Sequence, residues 1–430
     1  MITAGQLLGR VWRAAGGDVV YGEPWPGLDV VEVPPAVAPT LAAAHRRVRN
    51  RSALVHEGDG RFRVAGGSGA PADHDGPGGA RPLLAAAPTE LVDALPELAR
   101  GVDLDATFDP TSPTDDVWPP AAPGPERWQP PEADVVARIA QAVAPVVLVG
   151  PGVVQAGMVS GFHALAVALS AGTLNTWGAK GVLHWQSRHH WATIGLQARD
   201  FELAGLADTD LIVASGLDPL ESPDERWRLA PAVELDPRSL APMAEQVGRP
   251  WRPLAVPPLR DRLASVTQAG WARSGSPLHP ARATLDLHDA LGPGGLVAAD
   301  PGIAGFWVAR TFGTTELGSV LVPADGSSEG FAAACVLVAR LHEPNRAALA
   351  VVDGPPSDEV AAVLDAARRL GVPVAVEAWS AEGERLDQPA HRARAEELAR
   401  GQRVGVASVA IDPAPLDEFA AAAGRIIAWT

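Results

Sequence analysis

The 430-residue chain contains one cysteine, Cys335, and one lysine, Lys180. A single cysteine excludes an internal disulfide and any zinc site built from several thiolates, and a small buried apolar role is expected for it. No run of eighteen or more apolar residues is present, so no transmembrane helix is predicted. The net charge of -16 and the lack of a basic patch argue against nucleic acid and anionic membranes as partners. We therefore expect a soluble protein.

The first twenty residues, MITAGQLLGRVWRAAGGDVV, lack a basic segment followed by an apolar one, and they lack a small-x-small cleavage site. The spacing of their apolar side chains predicts an amphipathic helix instead; these are Leu7, Leu8, Val11 and Trp12. We therefore expect a cytoplasmic protein.

Two proline-rich stretches divide the chain, whose length suits two or three domains. Proline removes an N–H donor and fixes φ, so these stretches are predicted to be linkers at 116–133 and 251–280, although RDRLASV in the second is helix-like. The predicted domains are then residues 1–115, 134–250 and 281–430. The Gly-rich stretch from Glu57 to Gly79 is expected to be irregular loop.

The second and third segments alternate between short apolar runs and helix-like patterns. The apolar runs, most of which end close to a glycine, are PVVLVG, LIVASG, GLVAAD, AALAVVDG and VPVAVEAW. This β-α-β alternation predicts the α/β class, with parallel sheets flanked by helices and a ligand crevice at the carboxyl ends of the strands. The turn at Gly150, Pro151 and Gly152 either admits a phosphate or is an ordinary turn, because the full G-x-G-x-x-G pattern is absent.

Local signals also predict the ends of single elements. Ser357, with Asp358 and Glu359 after it, is typical of a helix N-terminus, and Gly371 is typical of the end of that helix. The final RIIAWT is strand-like. These signals complete a third segment that repeats the strand and helix order of the second.

The segments in this order resemble the thiamine-diphosphate (ThDP) enzymes of the acetolactate-synthase and benzoylformate-decarboxylase type. The likeness is strongest in PVVLVGPGVVQAG, in LNTWGAKGVLHWQSRHHWATIGLQ and in LADTDLIVASGLDP, where Thr176 to Gly181 corresponds to the family's Thr-x-x-x-Lys-Gly element. In the third segment AADPG, SSEGFAAACVLVAR and AVVDG follow the family's order. The resemblance implies a shortened pyrimidine-binding-like domain, a central Rossmann-like domain and a diphosphate-binding-like domain.

The resemblance also implies a cofactor, its ligands and an assembly. The cofactors would be ThDP and Mg²⁺, with Asp353 and Ser380 as metal ligands. The residues implied to contact the cofactor are Gly330, Asp353, Gly354, Ser380 and Lys180. Because such enzymes bind each cofactor between the first domain of one subunit and the third domain of another, a homodimer or a higher homo-oligomer is implied.

Several residues depart from what this chemistry needs. Pro35 stands where the family has its catalytic Glu, and no other residue can be assigned as a general base. Val352 replaces the first glycine of Gly-Asp-Gly, and Ser380 stands where an Asn would bind the metal. Pro355 and Pro356 offer no N–H to a diphosphate. These departures predict a divergent member whose cofactor site is degenerate and whose activity is lost or altered.

Two alternatives come from other classes of protein. The first is a non-catalytic scaffold or regulatory subunit that pairs with an active paralogue. The second is a nucleotide-binding or acyl-CoA-binding module in which Lys180 contacts the phosphates, although Lys180 could also pair with a carboxylate or cap a helix. Several indoles could line an apolar pocket or serve ordinary cores; they are Trp177, Trp185, Trp191, Trp227, Trp307 and Trp379.

Overall fold

A computed structural model describes residues 2–25, 28–58, 61–64, 83–85, 90, 92–93, 104–107, 109, 112–114, 130–248 and 256–429. The chain divides into two compact units. The first unit comprises Met1–Trp128, Ser328–Pro344 and Ser357–Val374; the second comprises Gln129–Ser327, Asn345–Pro356 and Ala375–Thr430. Within the described residues, no helix combines the length and the apolar composition needed to cross a membrane.

The N-terminal part of the first unit contains a mixed sheet and two helices. Its described elements are β1 (Ile2–Thr3), α1 (Ala4–Ala14), β2 (Val19–Gly22), β3 (Val30–Glu32), α2 (Ala38–Arg49), β4 (Ala53–Gly58), β5 (Arg61–Val64), β6 (Leu83–Ala85), β7 (Leu104–Thr107) and β8 (Pro113–Thr114). Six of the strands form a sheet in the order β3-β2-β4-β5-β7-β6, and β1 pairs with β8. Strands β3, β2 and β4 are parallel to one another, whereas β5 is antiparallel to β4 and to β7.

Helix α1 forms where the apolar spacing predicts it. Thr3 and Gln6 satisfy each other's backbone N–H groups in a capping box, which fixes the first turn. The four apolar side chains that predict the helix are all buried, namely Leu7, Leu8, Val11 and Trp12. They pack with Val20, Leu54 and Phe62 into the core of this sheet.

The loop predicted from Glu57 to Gly79 is wrong in its first part. Strand β4 continues to Gly58, and β5 follows as its antiparallel neighbour. The sequence RFRV alternates as a half-buried strand must, because Arg61 is exposed while Phe62 and Val64 are buried. The alternating pattern covers only four residues between glycine-rich stretches, which is too short to predict a strand from the sequence. Residues 65–79 lie outside the described residues.

The central part of the second unit is a parallel α/β layer. Its helices and strands are α3 (Ala133–Gln141), β9 (Pro145–Val149), α4 (Pro151–Gln155), α5 (Val159–Ala168), β10 (Gly172–Thr176), β11 (His190–Ile194), α6 (Asp200–Leu203), β12 (Leu211–Ser215), α7 (Asp224–Trp227), β13 (Ala232–Leu235) and α8 (Leu240–Gln246), with 3-10 turns at Trp177–Ala179, Leu206–Asp208 and Pro237–Ser239. The sheet order is β11-β10-β9-β12-β13, and every pairing is parallel.

The strand order reverses between β9 and β12, where an open α/β sheet usually offers a crevice. In this protein the backbone of residues 150–152 and 215–216 fills that crevice. Gly150 N–H donates to the Ser215 carbonyl at 3.0 Å, and Gly152 N–H donates to the Gly216 carbonyl at 2.8 Å. A Cβ on Gly152 would lie 2.7 Å from the Gly216 Cα. The turn at Gly150 to Gly152 is therefore an ordinary packed turn and leaves no room for a phosphate.

The C-terminal part of the chain repeats the α/β layer. Its elements are α9 (Pro258–Trp271), α10 (Pro280–Leu291), β14 (Leu296–Ala299), α11 (Ile303–Thr311), β15 (Val320–Leu321), α12 (Phe331–His342), β16 (Ala348–Asp353), α13 (Asp358–Leu370), β17 (Ala375–Ser380), α14 (Gln388–Arg400), β18 (Gly405–Ala410) and α15 (Pro415–Ala423). Helices α12 and α13 belong to the first unit, and the remainder belongs to the second. The sheet order is β15-β14-β16-β17-β18 with parallel pairing throughout. The predicted α/β fold class is confirmed.

The predicted ends of single elements have different outcomes. The Ser357 hydroxyl accepts from Val360 N–H and caps α13, and Gly371 ends that helix at a φ of 66°, as predicted. The strand predicted in RIIAWT is wrong, since Ile426 makes only an isolated bridge with Gln197. The last described strand is instead β18, whose sequence GVASVA has small side chains and a weak apolar signal.

The segment at 251–280, predicted as a linker, contains the fourteen-residue helix α9. Leu259 and Leu263 are buried in the core of the second unit, and Thr267 and Gly270 continue the same buried face. This spacing of three and four residues is helical. At the other predicted linker, most residues lie outside the described part of the chain, and α3 begins at Ala133. The boundaries of the three domains stay predictions.

Candidate functional site

The predicted metal ligands lie at the carboxyl edge of the C-terminal α/β sheet β15-β14-β16-β17-β18, here named the third sheet. Asp353 is the last residue of β16, and Ser380 is the last residue of β17. Asp353 pairs with Trp379 in the parallel register, so Ser380 comes directly after the residue beside it. The third sheet therefore brings these two positions together, as the β-α-β pattern predicts.

The Asp353 carboxylate caps the N-terminus of α11. One oxygen accepts from Ile303 N–H at 2.6 Å, and the other accepts from Ala304 N–H at 2.8 Å. The residue before the helix is Gly302, with a φ of +118°, and a Cβ there would lie 2.4 Å from the carboxylate. Both carboxylate oxygens thus serve the helix, satisfying two N–H groups that would otherwise lack a partner.

This edge does not fit Mg²⁺, which needs several hard oxygen ligands in near-octahedral geometry. Within the described residues, no group of three His, Cys, Asp or Glu ligand atoms includes Asp353. Partial burial raises the pKa of the Asp353 carboxyl, and its two N–H donors oppose that rise. Ser380 is half-buried and can offer only a neutral hydroxyl.

Residues 354–356, directly after Asp353, offer no free N–H to a diphosphate. Gly354 has a φ of 63°, and its N–H donates to the Trp379 carbonyl at 2.7 Å. Pro355 and Pro356 have no N–H. In the segment that resembles the family's diphosphate turn, the one N–H group of residues 354–356 is therefore already bonded within the sheet.

Gly330, also predicted at the cofactor site, lies in the first unit before α12. Its φ is +79°, and a Cβ would approach Glu359 to 3.2 Å. A glycine is needed there for the left-handed backbone and for close packing against α13.

Lys180 follows the 3-10 turn Trp177–Ala179 and has 7% of its surface exposed. Its ammonium makes no hydrogen bond or ion pair within the described part of the chain, so the side chain neither pairs with a carboxylate nor caps a helix there. Its backbone N–H, however, caps the 3-10 turn by donating to the Trp177 carbonyl at 3.2 Å. Burial, and then the charge of Arg310, lower the pKa of Lys180 to about 7. Such a group needs an explanation.

Lys180 lines a cavity of about 380 Å³ in the second unit. Two further cations line it, Arg260 on α9 and Arg310 on α11, and none of the lining residues is acidic. Three indoles form much of the wall, and the polar lining includes hydroxyl and amide groups; these residues are Trp185, Trp191, Trp271, Thr193, Thr267 and Gln268. The cavity is thus cationic and aromatic.

Arg310 and His190 line the cavity beside Lys180, and both have hydrogen-bond partners of their own. Arg310 donates to both oxygens of Asp200, at 2.7 and 2.9 Å, and to the Thr193 carbonyl at 2.7 Å, so its charge is balanced and its position fixed. His190 contacts the Asn175 amide oxygen at 3.1 Å. Burial, and then the charge of Lys180, lower the pKa of His190 to about 4, which leaves the imidazole neutral at neutral pH.

The sequence predicts only part of this cavity. Lys180 is predicted as an anion contact, and Trp185 and Trp191 belong to the indoles predicted to line a pocket. Arg260 and Trp271 are missed because they lie on α9, in the predicted linker. The helical spacing of RDRLASV is the signal that points to them. Arg310 carries no signal of its own, because its role depends on contact with Asp200, 110 residues away.

A separate cluster in the first unit groups Asp18, His45 and His342. Their ligand atoms lie within 4.8 Å of one another, which is the spacing of a possible metal site. However, Arg49 and Arg51 lie 4.0 and 3.9 Å from the Asp18 carboxylate. Their positive charge competes with a metal ion for this carboxylate, so the cluster is better described as an ion-pair network.

Comparison with known proteins gives one finding for the centre of the chain. No curated protein sequence matches the chain. Residues 133–239 match the family model described as "Thiamine pyrophosphate enzyme, central domain". The match begins at α3 and ends just after β13, and it therefore includes the whole central sheet and Lys180. The chain thus contains a segment similar to the central domain of the thiamine pyrophosphate enzymes.

Proposed function

We propose that the chain is a divergent ThDP-dependent 2-oxo-acid carboligase or decarboxylase-like protein of the acetolactate-synthase type, with a degenerate cofactor site and a lost or altered activity. The likeness of residues 133–239 and the two flanking α/β segments support the family. The observation that carries the degeneracy is the use of both Asp353 oxygens as the cap of α11.

A metal ion at Asp353 would share oxygens that each already accept one N–H bond, and a shift of the carboxylate toward the ion would weaken the cap. Releasing a capping carboxylate costs about 0.5–2 kcal/mol of stability. The site returns little for that cost, since Ser380 supplies one neutral oxygen and Gly354 N–H is already bonded within the sheet. Pro35, which stands where the resemblance places the catalytic Glu, has no side-chain group that could exchange a proton with the cofactor ring.

We also propose an assembly, either a homodimer or a higher homo-oligomer, or a complex in which this chain is the scaffold or regulatory partner of an active paralogue. The net charge of -16 and the altered metal ligands suit a partner role. The mass of the purified protein in solution tests this. A monomer that captures no related chain on co-expression would contradict it.

Turnover of pyruvate and other 2-oxo acids tests the proposed loss of activity. With ThDP and Mg²⁺ in excess, we expect no consumption above the rate without enzyme. The matched variants are Asp353→Asn and Asp208→Asn, because Asp208 is exposed and lies in the 3-10 turn Leu206–Asp208 before β12, not in the sheet that carries Asp353. Turnover that Asp353→Asn removes and Asp208→Asn leaves intact would overturn the degenerate site.

A further inference from the structure

The charges around the Lys180 cavity are not balanced by the protein. Arg310 has Asp200 as a partner, but within the described residues Lys180 and Arg260 have no ion pair, and no acidic side chain lines the cavity. Lys180 is buried and Arg260 is half-buried, and a buried charge without a partner is costly to a fold. A bound anion would offset that cost.

Buried hydrogen-bond donors are also left over. The indole nitrogens of Trp191 and Trp271, whose side chains line the cavity, are buried and have no hydrogen-bond partner in the described part of the chain. Lys, Arg and Trp side chains can donate but cannot accept. The unsatisfied groups therefore call for an acceptor-rich ligand, and water alone would leave the charges unmatched.

The lining residues and the volume of the cavity limit the class of ligand that it can bind. The rings of Trp185 and Trp271 meet edge to face with centroids 5.3 Å apart, which holds both planes in place. Ligand pockets commonly have volumes of about 300–1,000 Å³, and this cavity of about 380 Å³ is near the lower end. That volume suits one ring with one anionic group and is small for an acyl-CoA or a dinucleotide.

We propose that this cavity binds a compact organic anion with one planar ring, such as an aromatic carboxylate. The anionic group lies against Lys180 and Arg260, and the ring packs against the indoles. Arg310, held by Asp200, contributes positive charge without changing partners. All of these residues belong to the second unit.

Benzoate and benzamide are matched probes, because they share the ring and differ in charge. Tryptophan fluorescence and calorimetric titration should show saturable binding of benzoate, with benzamide weaker by about tenfold or more. Phenylacetate and indole-3-carboxylate extend the series in ring size, and inorganic phosphate tests the need for a ring. Equal binding of benzoate and benzamide, phosphate binding as tight as that of the carboxylates, or no binding of any aromatic carboxylate would overturn the proposal.

Variants locate the site. Lys180→Met and Arg260→Met should each weaken benzoate binding about tenfold or more, whereas Lys180→Arg keeps the charge and should retain most of it. Arg226→Met is the control, since Arg226 is exposed in the same unit and does not line the cavity. Melting temperatures show whether each variant is folded. Benzoate binding that survives Lys180→Met and Arg260→Met in folded protein would contradict the assignment.

Discussion

At the scale of single residues, Lys180 is unusual because it is a buried cation without a partner, which lowers the stability of the fold. Its burial and the nearby Arg310 lower its pKa to about 7, so the unfolded chain holds the proton more tightly than the native one. A site that binds anions gains from such a group, since the ligand supplies the missing charge.

Lys180→Met should therefore stabilise the protein in the absence of ligand. Removing a buried unpaired charge while keeping the side chain's bulk is expected to raise the free energy of unfolding at pH 7 by on the order of 1 kcal/mol. Denaturant unfolding measures this. A loss of stability in Lys180→Met would mean that Lys180 has a favourable partner and would contradict the charge imbalance.

His391, unlike Lys180, is a buried residue with acidic partners. Its nitrogens lie 2.9 Å from Asp286 and 3.0 Å from Glu377, and none of the three side chains is exposed. Burial lowers the pKa of His391, but Glu377 and Asp286 outweigh that effect and raise it to about 9. The stability that protonated His391 contributes is fully present below its unfolded pKa of about 6.5 and is lost as the pH rises through about 9.

The pH dependence of stability should expose both groups. Lys180 opposes the trend of His391, because its lowered pKa makes stability increase above about pH 7. The fall in unfolding free energy between pH 7 and pH 9 is therefore expected to be steeper in Lys180→Met than in the unaltered protein. Unfolding curves across this range measure the two slopes, and equal slopes would count against the lowered pKa of Lys180.

At the scale of elements, α11 is held at both ends by residues distant in sequence. Asp353 caps its first turn, and Arg310 in its last turn binds Asp200 in the buried interior. The sequence identifies Asp353 as a candidate ligand from its place after an apolar run. It cannot show the cap, because the bonded N–H groups belong to residues about fifty positions earlier in the chain.

Asp353→Ala should lower the free energy of unfolding by about 1–2 kcal/mol, since two N–H groups lose their acceptor. Asp353→Asn keeps one acceptor oxygen and should lose less. Ser357→Ala is a useful comparison, because the Ser357 cap of α13 makes a single bond at 3.4 Å. If Asp353→Ala unfolds at the same denaturant concentration as the unaltered chain, the carboxylate is not needed by α11.

Arg310→Met should cost more, about 3–5 kcal/mol, because it leaves the Asp200 carboxylate buried without its cation. Thermal unfolding of this variant against Arg226→Met measures the difference. A loss no larger than that of the exposed control would show that water or another group replaces the guanidinium.

Element prediction succeeds or fails according to the strength of the local pattern. Helix α1 and strand β9 are found because eleven and five residues hold one apolar pattern. Strands β5 and β18 are missed because a four-residue run and a run of small side chains carry little apolar contrast. Helix α9 is concealed by prolines on both of its flanks.

At the scale of the whole molecule, the order of strands and helices is enough to predict an α/β protein with parallel-rich sheets. The cavity is beyond such a prediction, because Lys180, Arg260 and Arg310 come together only in the folded second unit. The departures from the family's metal ligands and diphosphate turn are visible in the sequence at Ser380 and Pro355, but the contacts that Asp353 makes with α11 require the structure.

Thermal unfolding with and without excess ThDP and Mg²⁺ tests whether the edge that carries Asp353 still binds the cofactor. A ligand at a hundred times its dissociation constant adds about 2.7 kcal/mol of stability. With Asp353 engaged by α11, we predict no change in melting temperature on adding the cofactor and the metal. A rise of several degrees that Asp353→Asn abolishes, and that Asp208→Asn leaves intact, would show that the edge of the third sheet still binds ThDP and that its cofactor site is not degenerate.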